Sequence, residues 1–388
     1  MPGESKKNQS LHMVMITAFF LPKIGGSEKQ LFTLARALHK QGIAITIITR
    51  QYDPILMNHE HVNGIEILRF SFMNMPMMDL ITFNLKLFFW LIKHRNVYTV
   101  IYANLASSHA VTAALIGLCC KKKVFIKLGG SGRYGDLMTS RHSLLGKIKI
   151  NLLRNSTARY IAVSSEIVEE LRAYKFPEQS ISLIPNGVNS ELFYPISDQK
   201  KKEIRTRLDL VHDAILFIFA GRFDLSKNII TMLIAWHKLG DQKNHMKLLI
   251  IGEGPLEQNI RQVITTKQLQ NSIVLKPFQD NIQEYFQASD SMIALSVSEG
   301  LSNTILEGMA CGLPVIGSRA RGIEEIITDG YNGFTVDPDK ITRVTETIRK
   351  LGSDKHLRKK MSEKASQTIK EHYRIDHTVQ RILPLISS

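Results

Sequence analysis

This sequence is poor in the residues that staple or anchor a protein. Its 388 residues include three cysteines, Cys119, Cys120 and Cys311, and none stands at a disulfide or metal-ligand spacing. A disulfide framework and a cysteine-held metal are therefore excluded, and a reducing compartment is expected. Long apolar runs are missing too. The most apolar short stretch, Leu87 to Ile92 (LFFWLI), is fenced by Lys86 and Lys93, well short of the ~18 residues of a membrane span. The opening MPGESKKNQS has no apolar signal core, so residues 1–10 are expected to be a disordered terminus and the protein to be cytoplasmic. No internal repeat or low-complexity tract appears. With 44% hydrophobic and 22% charged residues, the chain has the composition of a globular protein of about two domains.

Acidic residues are scarce in one half. Residues 1–190 carry 23 Lys and Arg against 11 Asp and Glu, which is +12 of the chain's +15. Such a field favours an anionic partner: a phosphate-bearing substrate, an acidic membrane surface or nucleic acid. No aromatic-basic pattern accompanies the charge, so nucleic acid is not expected.

What is present is a strict alternation. Short Val- and Ile-rich runs (HMVMITA, IAITIIT, IEILRF, TVIYAN, KVFIKL, RYIAV) alternate with amphipathic stretches such as SEKQLFTLARALHKQG and SSEIVEELRAYK. That is the pattern of βαβ units on a parallel sheet. Turn formers then crowd IPNGVNSELFYP, and the alternation restarts with AILFIFAGR, KLLIIGEGP, SIVLKPF, SMIALS, LPVIGS and NGFTV, followed by helical patterns such as NIITMLIAWHKL and IEEIITDG. Two α/β, Rossmann-like domains are expected, at 11–190 and 191–370, with ligands held beyond the carboxyl ends of the strands. Residues 371–388 read as a separate last helix.

Two glutamates stand eight positions apart in EGLSNTILEGMACGLPVIGS, Glu299 to Ser318. Glu299 falls in the loop after SMIALS, and Glu307 in the first turn of a helix starting near Asn303 or Thr304. A helix start suits a phosphate, and two carboxylates beside a diphosphate would repel it. The pattern makes sense if the amides of Gly300, Leu301, Ser302, Asn303 and Thr304 take phosphates while the glutamates reach neutral diols, as a sugar nucleotide supplies. A capping box, Thr304 with Glu307, accounts for the second glutamate equally well. Upstream, FAGRFDLSKN puts Arg222 and Lys227 five residues apart at the same sheet edge, suited to clamping a leaving diphosphate. In FFLPKIGGSEKQ, Gly25 and Gly26 would let backbone approach a ligand, with Ser27 and Gln30 as a cap; a plain tight turn fits as well.

These residues together resemble retaining glycosyltransferase family 4. GGSE, IPNGVNSELF, AGRFDLSKN, GEGP and above all the E-x7-E block occur in the family's order from about residue 12 to residue 340. The resemblance implies the GT-B fold, two Rossmann-like domains whose parallel sheets face across a central crevice, with the last helix crossing back to the N-terminal, acceptor-binding domain. It implies transfer of a hexose or N-acetylhexosamine from a nucleotide sugar to an acceptor hydroxyl, in glycan, polysaccharide or glycolipid biosynthesis. Arg222 and Lys227 would bind the donor diphosphate, Glu299 would face the donor sugar and Glu307 the ribose. No metal and no cofactor are implied, the nucleotide sugar being a substrate, with a UDP-sugar favoured over a GDP-sugar.

The chain departs from that family at two places. It reads Lys127-Leu128-Gly129-Gly130-Ser131 where many members carry a sugar-contacting histidine, and Arg321-Gly322 where a glycine pair is usual, with Glu325 at the acidic position after it. His109 is near the strand ends, where a lone histidine is expected to be structural. Gly130 to Gly135 matches the dinucleotide pattern GxGxxG but follows a late strand, and residues 150–160 hold no carboxylate to grip a ribose. The only DxD, Asp337-Pro-Asp339, comes after the last strand and is expected to be a turn. A non-catalytic nucleotide-sugar-binding subunit is the alternative. On the acceptor side, NLKLFFWLIKHR and RHSLLGKIKINLLRNSTAR combine cations with apolar residues. Leu144, Leu145, Ile148 and Leu152 share a helical face beside Lys147 and Arg154, suited to a lipid interface or to a core helix. The first option implies a lipid-linked acceptor and peripheral contact with the inner face of the cell membrane.

Overall fold

The computed structural model describes residues 11–22, 25–70, 76–132, 135–141 and 143–387. Two units emerge, Met1–Pro185 together with Ile375–Ser388, and Asn186–Arg374. The expected disordered stretch, residues 1–10, lies outside the described residues.

The first unit is built on β1 (His12–Thr17), β2 (Ala44–Arg50), β3 (His59–Val62), β4 (Ile65–Phe70), β5 (Val100–Asn104), β6 (Lys123–Leu128), β7 (Arg159–Ala162) and β8 (Ile181–Leu183). Their order is β3-β4-β2-β1-β5-β6-β7-β8, and every pairing is parallel except β3 on β4. Runs such as Met13–Ile16 and Val100–Ala103 are buried because helices cover both faces of a parallel sheet. The six apolar runs of this half all form strands. The sequence reading lacks β3, which is polar and half-exposed, and β8, which has only three residues. The last helix, Ile375–Ser387, belongs to this unit and sends Ile375, Val379, Ile382 and Ile386 into its core.

The second unit carries β9 (Ile215–Ala220), β10 (Met246–Ile251), β11 (Ile273–Lys276), β12 (Ser291–Ala294), β13 (Val315–Ser318) and β14 (Gly333–Val336). They are ordered β11-β10-β9-β12-β13-β14, all parallel. The order reverses between β9 and β12, the switch point beyond whose carboxyl ends such sheets take ligands. Beneath lies a core of Phe217, Phe223, Trp236, Leu248, Ile293 and Ile348.

Three expectations shift in detail. The chain changes unit at 185/186 and 374/375 rather than 190/191 and 370/371. Val188 N–H donates to Tyr373 O at 2.7 Å within the second unit, while Thr378 Oγ1 donates to Pro185 O at 3.1 Å within the first. The stretch IEEIITDG is not a helix: helix Arg321–Glu324 stops there, and Asn332 Oδ1 accepts Thr328 N–H at 2.8 Å to build a turn instead. Finally, the face of Leu144, Leu145, Ile148 and Leu152 is not core. These side chains, on helix Leu144–Arg154, are 75, 78, 49 and 45% exposed, and Ile150 and Leu153 pack inward in their place.

Candidate functional site

The loop after β9 folds around Asp224, whose carboxylate accepts Ser226 N–H at 2.9 Å and Ser226 Oγ at 2.5 Å. This closes a 3-10 turn, Leu225–Lys227, which presents Lys227, and Asn228 then enters helix Ile229–His237 from a left-handed conformation. Arg222 precedes the turn, with its Nε 3.9 Å from Asp224 Oδ2 and a side chain 73% exposed.

The loop after β12 is hydrogen-bonded onto the first loop, Val297 N–H donating to Ser226 O at 2.8 Å. Lys227 Nζ then reaches Glu299 Oε2 at 2.5 Å, with both side chains partly shielded. Gly322 underlies this segment: a Cβ there would lie 2.1 Å from Gly300 O and 2.3 Å from Glu299 O. Only glycine fits, so the Arg321-Gly322 departure retains the glycine that the backbone contact needs. Arg321 itself begins helix Arg321–Glu324 and is exposed.

Helix Asn303–Ala310 follows. Its N-cap is Ser302, which makes no side-chain cap bond. Thr304 is inside the helix, so the Thr304/Glu307 capping box is not formed. Glu307 lies in the second turn rather than the first, and it is buried. Asn186 Nδ2 donates to Asn303 Oδ1 at 2.8 Å, tying the turn-rich segment to the start of this helix. Sequence reasoning missed that link, for which the only signal is the Asn-Gly pair.

In the first unit, helix Gly26–Lys40 has Gly25 as its N-cap and starts two residues earlier than a Ser27 cap would set it. Gly25 N–H donates to Glu28 Oε2 at 3.0 Å and Ser27 Oγ to Glu28 Oε1 at 2.8 Å. Glu28 thus does the closing expected of Gln30, and the Gly25 amide is taken up internally. Both glycines are exposed.

Beyond β6 lies a partly buried polar cluster absent from the sequence reading. Asp136 Oδ2 accepts Gly129 N–H at 2.9 Å and Gly130 N–H at 3.3 Å, so the amide that opens the GxGxxG stretch is already taken by a carboxylate. Burial pushes the Asp136 carboxyl up and the Lys127 ammonium down to about 8, with Glu28 and Asp136 pulling Lys127 back toward its charged form. Burial also pushes Glu170 up to about 7, and Ser131 Oγ donates to Glu166 at 2.9 Å. His109 is buried, its ring nitrogens 2.6 Å from Ser107 Oγ and 2.9 Å from Asn104 O. Desolvation lowers its pKa to about 4, which makes it a neutral, structural imidazole. Asp337-Pro-Asp339 is a turn, Asp339 N–H donating to Asp337 Oδ1 at 3.1 Å.

Chemically, the loops after β9 and β12 bring two cations, a carboxylate and a helix start to one edge of the second sheet. Comparison with known proteins gives this arrangement a context. Residues 24–192 match the family described as Glycosyltransferase Family 4, and residues 200–368 match Glycosyl transferases group 1. N-acetyl-alpha-D-glucosaminyl L-malate synthase of Bacillus anthracis is 24% identical over 364 residues, 93% of each chain. A Campylobacter jejuni protein, named N-acetylgalactosamine-N,N'-diacetylbacillosaminyl-diphospho-undecaprenol 4-alpha-N-acetylgalactosaminyltransferase, is 26% identical over 59% of this chain and 60% of its own. Among solved structures, Anabaena Alr3699/HepE in complex with UDP-glucose superposes with a TM-score of 0.81 at 19% identity, covering 97% of this chain and all of that one. That likeness is one of fold.

Proposed function

From the premise that this chain belongs to the group 1 / family 4 glycosyltransferases of GT-B fold, and is thereby a transferase using a nucleotide-sugar donor, we propose the following chemistry. The enzyme transfers a hexose or N-acetylhexosamine, with retention of configuration and without a metal, to an acceptor hydroxyl. Arg222 and Lys227 hold the diphosphate as it departs, assisted by the amides at the start of helix Asn303–Ala310. Glu299 faces the donor sugar, Glu307 accepts from the ribose hydroxyls, and the acceptor attacks the face the diphosphate leaves. The observation that carries this reading is the placement of Arg222, Lys227 and Glu299 on the two loops that leave the sheet where its strand order reverses.

A UDP-sugar is the proposed donor, in keeping with the UDP-glucose bound by the Anabaena neighbour. The proposed acceptor is lipid-linked. Support comes from the diphospho-undecaprenol in the name of the Campylobacter jejuni relative, from the +12 carried by residues 1–190, and from the exposed apolar face of Leu144, Leu145, Ile148 and Leu152. Among the described residues no helix is long and apolar enough to cross a membrane; the proposed contact is peripheral, at the inner face, through that exposed apolar face.

The test is a panel of UDP-, GDP- and ADP-sugars read by thermal shift and by turnover, with and without EDTA. A donor at 100 times its dissociation constant adds ~2.7 kcal/mol of stability. The expected result is a shift with a UDP-sugar and turnover unaffected by chelator. Binding without turnover on any acceptor would make the protein a non-catalytic sugar-nucleotide subunit. Loss of activity in EDTA with rescue by magnesium or manganese would overturn metal independence.

A further inference from the structure

The hairpin of β3 and β4 turns on Asn63-Gly64, both residues with positive φ (53° and 79°). That is the two-residue turn that matches strand twist and sets register without slack. The register pairs Val62 with Ile65 and His61 with Glu66. Since side chains alternate faces, His59 projects on the same side as His61. The result is two imidazoles from the edge strand β3 and a carboxylate from β4 on one face of the hairpin, their ligand atoms all within 4.8 Å of one another. His59 Nε2 is already 3.1 Å from Glu66 Oε1, near the ~3.3 Å that separates two ligands of a tetrahedral ion with 2.0–2.1 Å bonds. The imidazole rings of His59 and His61 lie 5.2 Å apart, centre to centre, and tilted.

A row of supporting groups holds the carboxylate. Thr46 Oγ1 donates to Glu66 Oε2 at 2.7 Å, and His12 Nε2 is 2.9 Å from the same hydroxyl. One carboxylate oxygen is thus anchored from β2 and β1, while the other faces the histidines. This is how a metal-binding carboxylate is oriented by the groups behind it.

We propose that His59, His61 and Glu66 bind one divalent cation of borderline softness, zinc in the first instance, with water in the fourth position. Two imidazoles and a carboxylate are a zinc donor set. The ion clips β3, an edge strand paired only with β4, to the sheet. The ligands sit near the start of β4 and so toward the opposite end of this sheet from the loops that follow β1 and β5. The site is therefore remote from those loops, and its metal is separate from the metal-independent transfer proposed above.

The test uses untagged, chelator-treated full-length protein titrated with zinc chloride by calorimetry, with melting temperature read in parallel. One zinc per chain and a raised melting temperature are expected. His61→Ala should abolish the one-site isotherm, and Thr46→Val should weaken it ~10-fold by releasing the carboxylate. Far-UV circular dichroism verifies that His61→Ala is folded, and His61→Asn replaces it if it is not. Absence of a stoichiometric isotherm, or an unchanged one in the His61 variant, overturns the site.

Discussion

Lys227 Nζ donates to Glu299 Oε2 at 2.5 Å, joining residues 72 positions apart on the loops that leave β9 and β12. Arg222, by contrast, is 73% exposed. The two cations of the proposed clamp should therefore behave differently when removed. Both Arg222→Ala and Lys227→Ala should lower turnover by about 100- to 1000-fold, the loss expected for one preorganised charge-stabilising donor. Only Lys227→Ala should also destabilise the fold, by roughly 1–2 kcal/mol, because it removes a charged hydrogen bond to Glu299 Oε2. Steady-state rates and melting curves of the two variants decide this, and near-normal turnover in both would remove the clamp.

Glu307 is buried in the second turn of its helix and is not a capping-box partner. Glu307→Gln should leave the melting temperature in place and weaken donor binding by about tenfold, the value of exchanging a charged for a neutral acceptor. Calorimetric titration with the donor measures it. Unchanged affinity would show that the carboxylate is not a ligand.

Gly322 supports the Glu299–Gly300 backbone from below, with room for no Cβ. Gly322→Ala should cost about 1–3 kcal/mol of stability through overpacking, and it should raise KM for the donor by displacing Glu299. A variant with wild-type stability and KM would contradict the contact.

His109 has a pKa lowered to about 4 by burial, with Lys149 and Arg50 adding smaller effects in the same direction. The folded state therefore binds fewer protons than the unfolded chain between about pH 6.5 and 4. The stability this histidine permits is complete above 6.5 and is lost as pH falls, reaching roughly 3 kcal/mol at 1.36 kcal/mol per unit. Denaturant unfolding at several pH values should show that loss, and His109→Gln should flatten it. An identical pH dependence in the variant would assign the acid sensitivity elsewhere.

The exposed face of helix Leu144–Arg154 can be altered without touching the core. Replacing Leu144 and Leu145 by serine should abolish sedimentation with anionic vesicles at low salt and leave melting unchanged, since these side chains are 75 and 78% exposed. High salt should weaken the wild-type association, because the Debye length falls to ~3 Å at 1 M. Equal recovery with neutral and anionic vesicles would favour a soluble acceptor.

Much of this protein was legible from local pattern. Apolar runs such as HMVMIT and ILFIFA become strands because backbone in a two-sided parallel sheet demands unbroken burial. The loops that follow them place Arg222, Lys227 and Glu299 at one sheet edge by chain order alone. Tertiary structure decided what periodicity cannot encode. A helical stripe such as Leu144, Leu145, Ile148 and Leu152 announces an apolar face but not whether anything covers it, and Ile150 and Leu153 took the core instead. Caps were settled by where the backbone turns into each helix, so Glu28 rather than Gln30 closes the first, and the second starts after Ser302, which leaves Thr304 inside it. The bonds of Lys227 to Glu299 and Asn186 to Asn303, and the seat of Gly322 beneath Gly300, depend on loops meeting across the sheet. The fold must close such contacts before any residue in them can be recognised as a partner.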